Sequence, residues 1–185
     1  MPTPAKTSLA ELVGIGRNLV DTNGADALTV SAVAQSAGVK APSLYKHFAD
    51  RSALLKAVEI SVLRDLEGVL RAETRGKRPK ARLRSMADAY RRFAKTQPRR
   101  YGLLYGRHAF EDPEIAEACR FAAQPLFEEL ARAAVPPERI LPLSRTLAAF
   151  LHGFVSMEIV NAFHLGGDLD ADFAQSIETI LRELG

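Results

Sequence analysis

The fold of this chain is decided by residues 29–48, which read TVSAVAQSAGVKAPSLYKHF. The first half of this stretch has small or branched apolar residues at i, i+3, i+4 and i+7, the spacing of a helix that lies on a core: Val30, Val33, Ala34 and Ala37. Gly38 ends that helix, and a second short helix is predicted over residues 41–48, with a proline in its first turn. Two short helices joined by a tight turn that contains glycine predict a helix-turn-helix.

The outer face of the second helix is predicted to contact DNA, because the second helix of this motif enters the major groove. Leu44 and Phe48 are four residues apart on the side that faces the core. The other side carries cations and hydroxyls, which suit phosphate oxygens and base edges: Lys40, Ser43, Tyr45, Lys46 and His47. From the spacing alone, a generic helical hairpin with a solvated face remains an alternative.

A longer helix is predicted on each side of the motif. The one before it begins after Ser8, where Glu11 completes a capping box, although Gly14 and Gly16 lower its helix propensity. The one after it begins at Asp50, another N-cap residue, and continues to about residue 75. Five more helices are predicted over residues 81–96, 99–109, 113–134, 139–164 and 170–184. No segment alternates as a strand would, so the chain is predicted to be all-α.

The composition is that of a globular protein, with 47% hydrophobic and 25% charged residues. The longest stretches without a charged side chain have 13 residues (27–39) and 12 residues (146–157), short of the ~20 that a membrane helix needs. The single cysteine, Cys119, cannot form an internal disulfide, and the N-terminus lacks the apolar segment of a signal peptide. We therefore expect a cytoplasmic protein that does not associate with membranes.

The net charge of +3 hides an uneven distribution. Residues 1–50 are neutral, whereas residues 51–110 carry a net charge of +11 and residues 111–185 one of −8. This asymmetry suggests nucleic-acid binding or pairing between the basic and the acidic part, while solvated helix faces are the alternative. The neutral first 50 residues are weak support for DNA binding, although only charges on the docking face contribute to it.

The reactive side chains argue against an enzyme. The four histidines show no metal-ligand spacing, and Cys119 has neither a histidine nor a second cysteine close by. The sequence contains no glycine-rich phosphate loop and no nucleophile elbow. We therefore predict no catalytic residue, no metal and no cofactor. A helical interaction protein is the alternative from another functional class.

Residues 29–48 resemble the tetracycline-repressor (TetR) family of transcriptional regulators, together with three residues that follow: Arg51, Leu54 and Leu55. The resemblance covers about residues 8–58. It implies an all-helical, homodimeric repressor whose helix-turn-helix domain, residues 1–55, binds a palindromic double-stranded DNA operator. It also implies that residues 56–185 form a helical bundle for dimerisation and for a small-molecule effector that releases the protein from DNA.

The resemblance also implies a set of DNA contacts. It places Tyr45 and His47 against the DNA backbone and Lys40 near bases or phosphates. It places Thr29 at a helix N-terminus that faces a phosphate, where backbone N–H groups and the helix dipole favour an anion. Arg51 stands where the family commonly has lysine, which keeps the positive charge. The predicted DNA-binding residues are Thr29, Ser31, Lys40, Ala41, Ser43, Tyr45, Lys46, His47 and Arg51.

Two apolar stripes mark the last two predicted helices. They consist of Leu143, Leu147, Phe150, Leu151 and Phe154, and of Phe173, Ile177, Ile180, Leu181 and Leu184. In a family that dimerises through its last two long helices these stripes would form a four-helix interface, while intramolecular core packing is the alternative. Residues 151–154 also resemble a C-terminal variant of the family that carries Trp-His-Gly, with Leu151 in place of the tryptophan.

The candidates for ligand contacts are aromatic or polarisable side chains on the central helices: Tyr90, Phe93, Tyr101, Tyr105, His108, Phe110, Phe121 and His152. Tyr101 and Tyr105 share a helix face, with His108 nearby, and are suited to donate hydrogen bonds inside an apolar cavity. Packing in the core is the alternative for each of these side chains.

Overall fold

The computed structural model describes residues 8–76, 78–105 and 112–182, and within them it contains eight α-helices, three 3₁₀ turns and no strand. The α-helices are α1 (Leu9–Asn23), α2 (Val30–Ser36), α3 (Arg51–Ala72), α4 (Pro79–Thr96), α5 (Pro98–Tyr101), α6 (Pro113–Arg132), α7 (Pro137–Ile159) and α8 (Leu169–Arg182). The 3₁₀ turns are Ala25–Ala27, Ala41–Ser43 and Gly102–Tyr105. The predicted all-α fold is confirmed.

The chain divides into two compact units. Unit 1 consists of Met1–Arg64 and Gln97–Ala118, and unit 2 of Asp65–Thr96 and Cys119–Gly185. Among the α-helices, unit 1 therefore contains α1, α2, the first part of α3, α5 and the first six residues of α6. The two units are defined by how compactly their residues pack. The predicted boundary at residue 55 separates DNA binding from ligand binding and dimerisation, and it stays a prediction.

Three helices begin where the sequence predicts, because side-chain caps fix their first turns. Ser8 and Glu11 form the reciprocal capping box, with bonds of 3.2 and 2.7 Å. Thr29 Oγ1 accepts a hydrogen bond from the N–H of Ala32 at 3.1 Å. Asp50 Oδ1 accepts one at 2.8 Å from the N–H three residues later. Each of these bonds satisfies a backbone donor that has no partner within its helix.

Several helix ends differ from the prediction. Helix α3 ends three residues earlier, at Ala72, and the predicted helix over residues 99–109 is α5 followed by a 3₁₀ turn. Helices α6 and α7 end before Ala134 and Asn161, which have left-handed φ values of 58° and 54°. In both places the following N–H donates to the carbonyl five residues earlier, at 3.2 and 2.8 Å. This geometry closes a helix as a terminal glycine does, but without the glycine that would have marked it in the sequence.

Helices α1 and α3 approach closely at Gly16. A Cβ atom at this position would lie 2.9 Å from Cγ2 of Val58 and 3.2 Å from Cδ1 of Leu28. Val58 is completely buried and branched at Cβ, so its side chain has little freedom to move away. A Cβ atom added at Gly14, in contrast, would have no neighbouring atom within 4 Å. Gly16 is therefore required by packing, although it lowers the helix propensity of α1.

Unit 2 packs α4 against α7 and α8. Most of both predicted stripes is buried there, namely Leu143, Leu147, Leu151, Phe173, Ile177 and Leu181. The core alternative is thus confirmed for these six residues, whereas Leu184 lies outside the described residues. By length and composition alone α7 would also suffice to cross a membrane, a test that core helices of globular proteins pass as well.

The basic part of the chain pairs with the acidic part inside unit 2. Arg82 Nε lies 2.5 Å from Oε2 of Glu129, whose side chain is completely buried. Similar pairs join α4 to α8 and α7: Arg84 with Glu178, and Arg91 with Glu158. The predicted pairing of basic and acidic parts is confirmed for these residues.

We expect Gly16→Ala to destabilise the protein by about 1–3 kcal/mol, because the added methyl group overpacks the contact with Val58. Gly14→Ala is the matched control, since it makes the same change on the same helix in open space. It should stabilise the protein by up to about 1 kcal/mol through helix propensity. Urea unfolding followed by circular dichroism measures both effects, and equal effects would contradict the close approach of α1 and α3.

Candidate functional site

The segment after the turn at Gly38 is the candidate DNA-reading element. Gly38 has a left-handed φ of 67° and leads the chain out of α2. The predicted α-helix over residues 41–48 is wrong in detail, because the structure has a 3₁₀ turn followed by hydrogen-bonded turns. The N–H groups of Ser43, Leu44 and His47 donate to carbonyls three residues earlier, at 2.9, 3.0 and 2.8 Å. The N–H of Phe48 donates to the carbonyl of Leu44, four residues earlier, at 2.9 Å. In so short a segment, whose second residue is a proline, i+3 bonds thus outnumber α-helical bonds and no regular α-helix forms.

The burial of this segment follows the predicted pattern. Leu44 and Phe48 are 1% and 2% exposed and anchor the segment in the core of unit 1. The side chain of Tyr45 is on the opposite side, with 55% of the residue exposed. Three more of the predicted contacts are exposed as well: Lys40, Ser43 and Lys46. The structure therefore brings two cations and two hydroxyls to the solvent-facing side of one short segment.

The remaining predicted DNA contacts differ in how far they are exposed to solvent. Ser31 is exposed, whereas Thr29 and Ala41 are half-buried. The Thr29 oxygen caps α2 by accepting from the N–H of Ala32, which leaves its hydroxyl proton to donate to another acceptor. His47 is half-buried, and its Nε2 is buried without a hydrogen-bond partner in the part of the chain that is described.

Arg51 is engaged in holding the motif together. Its Nε donates to the carbonyl of Leu28 at 2.8 Å, and its Nη2 donates to the carbonyl of Ala25 at 2.8 Å. These bonds tie the first residue of α3 to the chain just before α2. Because 46% of the Arg51 side chain is exposed, the guanidinium also faces solvent.

The predicted ligand contacts do not form a single cluster within either unit. Tyr101 and Tyr105 belong to unit 1, where their ring centroids are 5.7 Å apart, and 2% and 41% of the residues are exposed. The other described candidates belong to unit 2: Tyr90, Phe93, Phe121 and His152. His108 and Phe110 lie outside the described residues.

The four candidates in unit 2 differ in burial. Tyr90 and Phe93 are each 6% exposed on the buried face of α4, whereas Phe121 is 46% exposed on α6. His152 is half-buried, with Nδ1 3.3 Å from Oγ of Ser156, and burial lowers the pKa of its imidazole. Tyr90 and Phe93 thus occupy core positions and Phe121 a surface position, while burial disfavours the charged form of the His152 imidazole.

The charge distribution suggested that the basic and acidic parts pair, but the sequence did not identify the charged cluster around Arg91 of α4. The Arg91 guanidinium donates two bonds to Glu158, at 2.8 and 2.6 Å, and one Nη lies 2.7 Å from Asp170. It also lies 4.8 Å from the ring centroid of Phe173. The hydrogen bonds from Arg91 lower the pKa of Glu158. Because the partners are 67 residues apart in the sequence, no local pattern could have indicated this cluster.

Sequence reasoning also missed a buried acid on α3. Glu59 is 7% exposed, and its Oε1 has no hydrogen-bond partner among the residues that the structure describes. Burial, with a smaller contribution from the charge of Asp112, raises the pKa of Glu59 to about 7. Lys56 precedes Glu59 by three residues, but its Nζ lies 3.2 Å from Asp112 and 2.9 Å from Glu114. Hydrogen bonds to these two acids raise the pKa of Lys56.

The raised pKa of Glu59 makes stability depend on pH. Its carboxyl stabilises the folded state fully below its usual pKa of 4.5, and this contribution is lost as the pH rises through about 7. We expect the wild type to lose about 2 kcal/mol more than Glu59→Gln between pH 5 and pH 8. Urea unfolding at four pH values measures this difference. Glu117→Gln, which removes an exposed acid of the same unit, should lose stability with rising pH as the wild type does. If the unfolding free energy of Glu59→Gln fell with pH as steeply as that of the wild type, Glu59 would not be the group responsible.

The comparisons with known proteins agree for both halves of the chain. Residues 15–58 match the family model "Bacterial regulatory proteins, tetR family", and residues 83–181 match "Tetracyclin repressor-like, C-terminal domain". The chain is 33% identical over 171 residues to the HTH-type transcriptional regulator Rv0681 of Mycobacterium tuberculosis, covering 91% of this chain and 77% of that protein.

Solved structures share the fold. A protein of unknown function from Rhodococcus sp. RHA1 superposes with a TM-score of 0.82 at 22% identity, covering 99% of this chain and 98% of that one. A TetR variant from Acinetobacter baumannii AYE, in complex with minocycline, superposes with a TM-score of 0.70 at 20% identity, covering 96% of each chain. With the two family models and the mycobacterial relative, these findings show that the chain belongs to the TetR family and is a DNA-binding transcriptional regulator.

Proposed function

We propose that this regulator is a cytoplasmic repressor that binds a palindromic double-stranded operator as a homodimer and leaves it when a small-molecule effector binds. The observation that carries the proposal is the two-sided segment after Gly38. Leu44 and Phe48 fix it in unit 1, while Lys40 and Tyr45 are presented to solvent. In a helix-turn-helix the element in this position enters the major groove.

The exposed side chains divide into two kinds of DNA contact. Lys40 and Lys46 are point charges that neutralise phosphates and release counterions. Tyr45 and Ser31 carry hydroxyls that donate to phosphate oxygens or base edges, and Thr29 donates its hydroxyl proton to a phosphate near the start of α2. The Ser43 hydroxyl donates to the carbonyl of Lys40 at 2.7 Å, so its oxygen is left to accept a hydrogen bond from a base edge. Ala41 allows close approach to a base, and His47 lies at the edge of the contact.

Arg51 has a double role in this proposal. Two of its nitrogens hold the carbonyls before α2 in place. The guanidinium carries five donors in a rigid fork, so the exposed part is able to reach a phosphate at the same time. Arg51 would thus set the orientation of the motif and contribute to its affinity.

The dimer would form on the part of α7 and α8 that the core of unit 2 does not use. Phe150 and Ile180 are half-buried and line a surface groove with polar residues of α8, among them Ser176 and Thr179. A second copy of the chain would cover this groove by the same surface, as a two-fold dimer requires. Residues 56–185 would thus supply dimerisation, and residues 1–55 the reading of DNA.

The effector would bind among aromatic side chains, and the minocycline complex of the Acinetobacter protein is the precedent for a small molecule on this fold. Its proposed contacts are Tyr90, Phe93, Tyr101, Tyr105, His108, Phe121 and His152. A ligand acts on DNA binding only through different affinities for two conformations. Helix α3 is one continuous helix with residues in both units, which makes it the element to transmit such a change.

We expect Lys40→Ala and Tyr45→Phe each to weaken operator binding by roughly 5–150-fold, because each removes a charge or a hydroxyl from the docking face. An electrophoretic mobility shift assay with the DNA upstream of the chain's own gene measures the effect. Arg120→Ala is the control, since it removes an exposed cation of unit 2 and should leave affinity unchanged. Wild-type affinity of both variants would contradict the assignment of the reading segment.

We expect the protein to sediment as a dimer at micromolar concentration and Ile180→Glu to shift it towards monomer, because the new charge would be buried in the interface. Leu165→Glu is the matched control: Leu165 is fully exposed between α7 and α8, so the same change there should leave the dimer intact. Analytical ultracentrifugation distinguishes the outcomes. A monomeric wild type, or a fully dimeric Ile180→Glu, would refute this interface.

A further inference from the structure

The buried acid Glu59 is an unsatisfied acceptor in the core of unit 1. Its residue is 7% exposed, and within the described residues its Oε1 has no hydrogen-bond partner. A buried carboxylate without a partner is unfavourable, so native proteins pair such groups or hold them neutral. Above its pKa of about 7 Glu59 is ionised and can only accept, so the partner that this form lacks is a hydrogen-bond donor.

The charges around Glu59 specify the sign of that partner. Lys56 lies one helical turn before Glu59 and would be the natural partner, but its ammonium group is already held by Asp112 and Glu114. The charge of Asp112 also acts on Glu59. Among the residues that the structure describes, the cluster thus contains three carboxyl groups and one ammonium group. A bound anion would be repelled there, whereas a cation would complete the set.

We propose that Glu59 is the anchor for an organic amine, whose protonated nitrogen donates a hydrogen bond to its Oε1 while an apolar body packs within unit 1. This inference rests on the proposed function, because it names the chemical class of the effector. Of the described effector contacts proposed above, Tyr101 and Tyr105 belong to the same unit as Glu59, and they are the ones that an amine held there would use. The four residues that define the cluster, Lys56, Glu59, Asp112 and Glu114, all belong to unit 1.

Glu59 lies on the helix, α3, whose first residue is bonded to the DNA-reading motif. Glu59 and Arg51 lie on the same helix, two turns apart, and Arg51 holds the carbonyls of Leu28 and Ala25 before α2. Val58, next to Glu59, packs at Gly16 of α1. An amine that orders the carboxyl of Glu59 therefore acts on the helix that fixes the motif.

The test uses the full-length protein with a series of linear primary amines from butylamine to decylamine. Alcohols of the same chain lengths are the neutral controls. At pH 8 at least one amine should raise the melting temperature of the wild type more than its alcohol does, and calorimetry then gives its affinity. Glu59→Gln should weaken that affinity at least about tenfold, since it removes the buried charge but keeps the shape. Glu59→Met is a second variant with the same expected loss.

Glu117→Gln separates a specific anchor from general attraction of cations, because it removes one exposed negative charge from the same unit and should leave amine affinity unchanged. The pH provides a further readout. The wild-type affinity should rise roughly tenfold from pH 6 to pH 8 as Glu59 ionises, and Glu59→Gln should show no such rise. If no amine exceeds its alcohol, or if Glu59→Gln binds the amine as the wild type does, the proposal is overturned.

The same amine is finally titrated against the protein–DNA complex. Release of DNA from the wild type but not from Glu59→Gln supports both the anchor and the effector-controlled repressor. Binding that depends on Glu59 and leaves DNA bound supports the anchor and contradicts the proposed control of DNA binding. Release of DNA by an amine that binds equally well to Glu59→Gln overturns the anchor and leaves the proposed function in place.

Discussion

The close contact between α1 and α3 at Gly16 is the constraint on which unit 1 depends. With 2.9 Å between Val58 and the position of an added Cβ atom, only glycine allows the two helices this separation. Arg100 and Arg99 of α5 hold the other end of α1, since Arg100 Nε donates to Asp21 at 2.6 Å and Arg99 donates to the Asp21 carbonyl at 2.8 Å. Helix α5 thus belongs to the unit that carries the DNA-reading segment, although 32 residues of unit 2 precede it in the sequence.

Several positive charges in the described part of the chain serve its own structure. Arg82, Arg84 and Arg91 of α4 are paired with carboxylates of α6, α8 and α7. Lys40 and Lys46, in contrast, are exposed on the reading segment. Since affinity for the DNA backbone scales with the number of phosphates neutralised, this segment supplies little charge. The proposed interface therefore depends on hydroxyl donors and on the two-fold repetition of the proposed dimer. The neutral first 50 residues are consistent with such an interface.

The parts of the fold that follow local rules could be predicted from the sequence. The caps at Ser8, Thr29 and Asp50 form between residues close in the chain, and the buried side of the reading segment follows from the spacing of Leu44 and Phe48. The helix ends at Ala134 and Asn161 could not be predicted, because left-handed residues other than glycine depend on tertiary context. In the reading segment the local sequence favours i+3 bonds over a regular helix, because the stretch is short and Pro42 is its second residue.

The candidate ligand residues show a deeper limit of the sequence. The residue type alone makes aromatic side chains such as Tyr90 and Phe93 candidates for ligand contacts. An aromatic ring packs equally well against any apolar neighbour, so its burial does not distinguish a core position from a pocket. A carboxyl group is not satisfied in this way, because it requires a donor or a proton wherever water is excluded. In the sequence Glu59 is an ordinary acid on a helix. It lacks a partner in the structure because Lys56, three residues earlier, pairs with Asp112 and Glu114 instead. An unsatisfied polar atom is therefore the more specific indication of a binding site, and it becomes visible only when the packing around it is known.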